Sequence, residues 1–165
     1  MGDLYDYFAQ QHDWGRYDYF SAPDDEAALT IFDPGPEDDP GPVDAGFRTL
    51  ETKGVDAYME LGHLTALLVG RPFDDVVKQP RFCKTLAKDP DNDTTELLTV
   101  MDQLRDAVAD ASPEQLAAVA EDWSKAGDLG VVDLELLIEW LREFAALAKD
   151  ARAQGHRLYC LMSMP

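Results

Sequence analysis

The sequence is short of positive charge. Its 165 residues carry 14 Lys and Arg against 33 Asp and Glu, a formal net charge of −19. Lys and Arg supply the phosphate contacts on which nucleic-acid affinity rests, so this balance excludes a phosphate-tracking nucleic-acid binder. It disfavours an anionic membrane surface for the same reason. Cysteine is also scarce: the 2 residues, Cys83 and Cys160, are far apart, which excludes a disulfide framework and any CxxC chemistry. No apolar run reaches the ~18 residues of a membrane-spanning helix. The opening MGDLYDYF is acidic and aromatic and lacks the basic start of a signal peptide. A soluble, cytoplasmic protein is expected. GxSxG, GxxxxGK[ST] and a GxGxxG following a strand are all missing, so no nucleotide cradle or nucleophile elbow can be assigned.

What is present suits one globular domain spanning 1–165, long enough to bury roughly 70% of its unfolded surface. The charge is uneven. Residues 1–50 hold 12 acidic and 2 basic side chains, against 21 and 12 in residues 51–165. Within the first third lies DPGPEDDPGPVDAG, residues 33–46, with 4 Pro, 3 Gly and 5 acids. Pro removes backbone donors, Gly is permissive and the acids repel one another. The stretch is expected to be a flexible exposed loop, and its length suggests that it separates an N-terminal appendage from the main body.

Helical spacing is clearest downstream. Ser112-Pro113-Glu114 reads as a capped helix start, followed by Leu116, Val119, Ala120 and Trp123. Asp133 starts a long helix whose apolar arc, from Leu134 through Trp140 and Phe144 to Ala148, is wide enough for burial. Gly155 stops it, and the apolar run Arg157–Met164 then reads as a central strand. Upstream, Asp56–Val69 has a helical pattern ending at Gly70. So does Thr94–Ala111, whose first residues also suit an extended chain. Residues 80–93 read as a polar connector and 47–53 as a short strand.

The first 20 residues contain a repetition: Tyr5-Asp6-Tyr7-Phe8-Ala9 returns as Tyr17-Asp18-Tyr19-Phe20-Ser21. Alternation places the tyrosines of each copy on one strand face and the Asp and Phe on the other. Two strands with a turn at Trp14-Gly15 would make a hairpin, although Leu4, Tyr7, Phe8 and Gln11 also fit one side of a helix. Tyr5, Tyr7, Trp14, Tyr17 and Tyr19 beside Asp form the candidate interaction surface, suited to a cation or a basic peptide. The competing reading places these aromatics under the C-terminal helix as core.

Other chemistry-bearing residues form no constellation. Asp89-Pro-Asp91-Asn-Asp93 begins like a calcium loop, but Thr94 occupies the position that needs Gly and Val100 the one that needs a bidentate Glu. A solvated turn is expected there. His12, His63 and His156 show no metal spacing. No catalytic, cofactor or metal residue is therefore assigned.

The order of elements resembles the YfbM-like family of uncharacterised bacterial proteins. The resemblance rests on an N-terminal strand beginning MG, a helix ending LTALLVG, the SPEQL helix, the long LEL-to-AQG helix and a terminal apolar strand. Leu64, Leu67, Leu68 and Gly70 fit that family's helix pattern, whereas Thr65 and Val69 depart from it. The resemblance spans about residues 54–164 and implies an architecture without an established activity.

The fold expected is α+β: a small mixed or antiparallel sheet holding the N- and C-terminal strands, covered by about four helices. The expected function is a non-enzymatic interaction or regulatory protein with a basic or polar protein partner and no cofactor. The alternative is an enzyme or small-ligand binder whose site assembles only in three dimensions, with His63, His156, Tyr159 and the N-terminal tyrosines as candidate parts.

Overall fold

The computed structural model describes residues 15–126 and 133–164, and it is α+β. Five strands form one antiparallel sheet: β1 (Arg16–Ala22), β2 (Thr49–Lys53), β3 (Thr85–Asp89), β4 (Asn92–Thr99) and β5 (Arg157–Ser163). Their order is β2-β1-β5-β4-β3, so the C-terminal strand is central, as its unbroken apolar run predicts. In β1, Tyr19 faces Leu50 of β2 and Cys160 of β5. The described helices are α1 (Asp25–Leu29), α2 (Met59–Val69), α3 (Phe73–Val76), α4 (Asp102–Asp110), α5 (Pro113–Ala126) and α6 (Leu134–Ala153). The four longest, α2, α4, α5 and α6, cover one face of the sheet.

Local chemistry explains the helix ends. The Asp133 carboxylate accepts from the Glu135 and Leu136 amides at 3.0 and 3.3 Å and starts α6. Ser112 and Gln115 satisfy each other reciprocally at the start of α5, at 2.8 and 3.1 Å. Gly70 ends α2 at φ 69°, a left-handed conformation that a side chain would strain.

The helical face is dry and aromatic. Trp140 and Phe144 of α6 stack with centroids 5.2 Å apart, and both meet Tyr19 edge-on. Each polar tip there has a partner. Tyr19 Oη donates to the Val55 carbonyl at 2.6 Å, Trp123 Nε1 to the Glu60 carbonyl at 2.8 Å, and Trp140 Nε1 to Thr52 Oγ1 at 3.0 Å. Gly62 of α2 is needed for close approach, because a Cβ there would meet the Phe73 ring at 2.6 Å.

The opposite face holds a smaller cluster of Phe20, Ala28, Ile31, Leu97, Tyr159 and Leu161. It is covered by α1, a 3₁₀ turn (Thr30–Phe32) and the Pro/Gly stretch. That stretch is turn-rich and mostly exposed, with Pro42 buried, and it is tied back by the Gly41 amide donating to the Ile31 carbonyl at 3.0 Å.

Two expectations need correction, and one alternative is resolved. At 94–111 the extended reading of the first residues holds: the segment is a strand followed by a helix. Leu97 and Leu98 are both buried but in different clusters, which only a period of two allows. The connector at 80–93 contains β3 and the Pro90-Asp91 turn into β4. Its strand is a half-exposed edge with few apolar residues, so it carries little pattern. Among the described residues, those at 15–32 before the Pro/Gly stretch are no appendage, because β1 is hydrogen-bonded between β2 and β5. The first aromatic copy, Tyr5–Ala9, lies outside the described residues.

Candidate acidic cleft

Strand alternation in β1 sends Tyr17 and Tyr19 toward the helices and Arg16, Asp18 and Phe20 toward the opposite face. Register then completes a polar floor. Asp18 is paired across the strands with Glu51 on one side and Leu161 on the other, and Arg16 with Ser163. Residues 39–44 of the Pro/Gly stretch stand over this floor and enclose a cleft of about 360 Å³. Pro40 and Pro42 fix the backbone of its wall. The Asp44 carboxylate braces it by accepting from the Asp39 amide at 2.8 Å.

The cleft is strongly acidic. Asp18, Asp39, Asp44 and Glu51 face one cation, Arg16, so four carboxylates against one guanidinium leave a formal −3. Arg16 Nε lies 3.0 Å from both oxygens of Asp18, and its Nη2 is 3.3 Å from Glu51 Oε1. Asp18 is only 5% exposed. Burial pushes its carboxyl above the usual aspartate range, outweighing the hydrogen bond and charge of Arg16, and the Glu51 charge adds to the rise.

A second charged cluster sits on the same face. Arg81 holds Asp25 in a bidentate pair at 3.0 and 2.9 Å, and Tyr159 Oη donates to the same carboxylate at 2.6 Å. The Arg81 hydrogen bond is the main reason that Asp25 is pulled down to about 2. Burial, and after it the Asp25 carboxylate, oppose ionisation and raise the Tyr159 phenol. This arrangement fastens α1 to β5 and leaves the hydroxyl engaged.

The sequence-predicted residues do not converge. Of the candidate interaction surface, Tyr5, Tyr7 and Trp14 lie outside the described residues, as does His12. Tyr17 and Tyr19 are 7% and 0% exposed and belong to the core beneath α6. Their aromatic area is consumed in packing. His63 stacks on Phe73 with centroids 4.3 Å apart, at the edge of α2. His156 sits at the entry to β5, where its carbonyl accepts from Arg105 Nη1 at 2.8 Å. Neither His lines the cleft. Cys160 is fully buried and its thiol is raised; burial pushes the Cys83 thiol up to about 12. Such thiols are not nucleophiles at neutral pH. At Asp89–Asp93 the side chains fold onto their own backbone: the Asp91 amide donates to Asp89 Oδ1 at 2.9 Å and the Thr94 amide to Asn92 Oδ1 at 3.1 Å. Among the described residues, no group of three or more His, Cys, Asp or Glu is placed to hold a metal ion.

Sequence reasoning passed over Asp18, Glu51, Asp39 and Asp44. One signal for Asp18 was available, since it sits between two tyrosines of a strand and alternation puts it on the face opposite a core. Its pairing with Glu51 is a matter of register and has no sequence signature. Among the described residues, no helix is long and apolar enough to cross a membrane. Searches of protein-family models, curated proteins and solved structures find nothing that matches this chain.

Proposed function

We propose that the protein is a non-enzymatic interaction or regulatory protein that captures a basic protein partner, with the acidic cleft receiving a Lys or Arg side chain. The observation that carries this reading is the cleft itself. Four acidic residues line one concave cleft, and Arg16 displays there how a guanidinium is held. A net charge of −19 would accelerate association with a cationic partner and discourage anionic ones, so nucleic acid and membranes fall outside this reading. Two free thiols, Cys83 and Cys160, accord with work in the cytoplasm. The YfbM-like resemblance is proposed as architecture and brings no activity with it.

One observation favours a second reading, a small cationic ligand or an enzyme. Asp18 is a buried carboxyl with a raised proton affinity in a cleft, the profile of an acid–base group.

Labelled hexa-arginine and hexa-lysine peptides, titrated by fluorescence anisotropy, test the first reading. Binding should weaken at least tenfold between 50 and 300 mM salt. It should also weaken at least tenfold in the double variant Asp39→Asn, Glu51→Gln. Failure to bind either peptide, or binding that ignores the double variant, refutes it. Saturation of the cleft by arginine methyl ester with the same affinity as the hexamer would favour the second reading.

A further inference from the structure

The helical layer carries a separate concavity. Helix α2 packs against both α4 and α5, and where the three meet an open groove of about 540 Å³ remains. Leu68, Ala111 and Val119 form its apolar floor, and Leu67 stands beside them at 38% exposure. The groove exists because α5 turns Leu116, Ala120 and Trp123 inward and presents Gln115, the small Ala118, Val119 and Asp122 along this edge. Asp110 and Asp122 stand on its rim, and among the described residues no basic side chain lines it. Arg152 reaches Asp110 at 2.8 Å, which leaves Asp122 as the anionic corner with no ion pair among the described residues.

We infer that this groove docks an amphipathic helix whose apolar stripe is flanked by Lys or Arg, belonging to the partner. Helices seat in such grooves through apolar anchors at i, i+3, i+4 and i+7. Charge decides which helix. The rim would repel an acidic flank, and a second copy of this chain would bring together two bodies of −19 each and place Asp110 and Asp122 near their own counterparts. The inference rests on the reading of the protein as a binder of basic partners and gives that partner a second element. A basic side chain enters the cleft on one face of the sheet, and a basic amphipathic helix covers the groove on the other.

The test uses the full chain and three labelled 18-residue peptides. One places Leu at helical spacing among Lys, one replaces every Lys by Glu, and one scrambles the first so that the stripe is lost. Anisotropy should show the Leu/Lys helix binding at least tenfold more tightly than either control. Ala118→Trp, an exposed position where a large ring plugs the groove, should weaken it at least tenfold. Asp122→Lys should weaken it about threefold, with thermal unfolding of both variants unchanged. Equal binding by wild type and Ala118→Trp overturns the groove while leaving the acidic cleft standing. Equal binding of the Leu/Glu helix overturns the charge assignment. Loss of all cationic binding, hexa-arginine included, overturns the cationic-partner reading on which the groove's occupant depends. A concentration-dependent dimer in sedimentation that Ala118→Trp abolishes assigns the groove to a second copy and overturns the proposal.

Discussion

The two faces of the sheet are built from the same strands yet differ in kind. Beneath α6, the ring system of Tyr19, Trp123, Trp140 and Phe144 is fully buried and each polar tip is satisfied by a single hydrogen bond. The other face is covered by one turn of helix, a 3₁₀ turn and a Pro/Gly stretch. There the apolar cluster is small, and charged groups lie at the sheet: Asp18 and Arg16 on β1, and the Asp25–Arg81 pair bound to Tyr159 of β5. On the helical side the polar groups, the fully buried Glu60 of α2 among them, are enclosed by the layer, whereas under the thin irregular cover the buried Asp18 keeps the half-exposed Arg16 beside it. The helical face therefore supplies stability, and the loop-covered face holds the charged candidate site.

The contrast can be broken most directly by truncating one side chain on each face. Trp140→Ala should cost about 3–5 kcal/mol, because a rigid helical layer cannot collapse into the space. Leu161→Ala, under the thin cover, should cost about 2 kcal/mol, the low end for its type. Chemical denaturation of both variants reads the difference, and equal costs would mean that the Pro/Gly stretch packs as firmly as α6.

A smaller effect is expected from Tyr159→Phe, which removes the hydroxyl bound to Asp25 and leaves the Arg81 pair in place. It should lower stability by about 1 kcal/mol. Tyr159 is fully buried, so no measurable loss would show that its hydroxyl contributes nothing to the Asp25 cluster.

The smallest and most diagnostic effect concerns pH. Asp25, held down at about 2, contributes stability that is present above the ordinary aspartate value of about 3.9 and is lost as pH falls toward about 2. Asp25→Asn should flatten that acid limb. Asp18 has the opposite sign: its raised carboxyl costs stability that sets in as pH rises above about 3.9. The stability of Asp18→Asn relative to wild type should accordingly increase with pH over that range, whatever its offset. Denaturation midpoints across pH 2–7 separate the two, and slopes of the same sign would overturn the burial assigned to Asp18.

Much of the helical face was legible in the sequence. The Ser112 and Asp133 caps, the apolar arc of α6 and the unbroken run of β5 are local patterns, and local patterns carry helix ends and central strands. The hairpin of β3 and β4 was not. Residues 85–89 offer only Leu86 and Ala87 as apolar side chains, and a half-exposed edge strand is held by its neighbour's backbone more than by its own side chains. The tyrosines of the N-terminal repetition carried an ambiguous signal: rings beside acids suit a surface, and the same rings at a spacing of two suit a core. Helix α6, arriving more than a hundred residues later, decided it for Tyr17 and Tyr19.

By itself the sequence determined the α+β class, the central place of the last strand and the strongly acidic character of the chain. Those follow from composition and from periods of two and 3.6 residues, which every segment carries with it. Only the tertiary structure decided that Asp18 meets Glu51, that residues 39–44 roof them, and that α2, α4 and α5 leave a groove at their junction. Each of these depends on register or on helix–helix packing, contacts between residues distant in the chain, which no local pattern encodes.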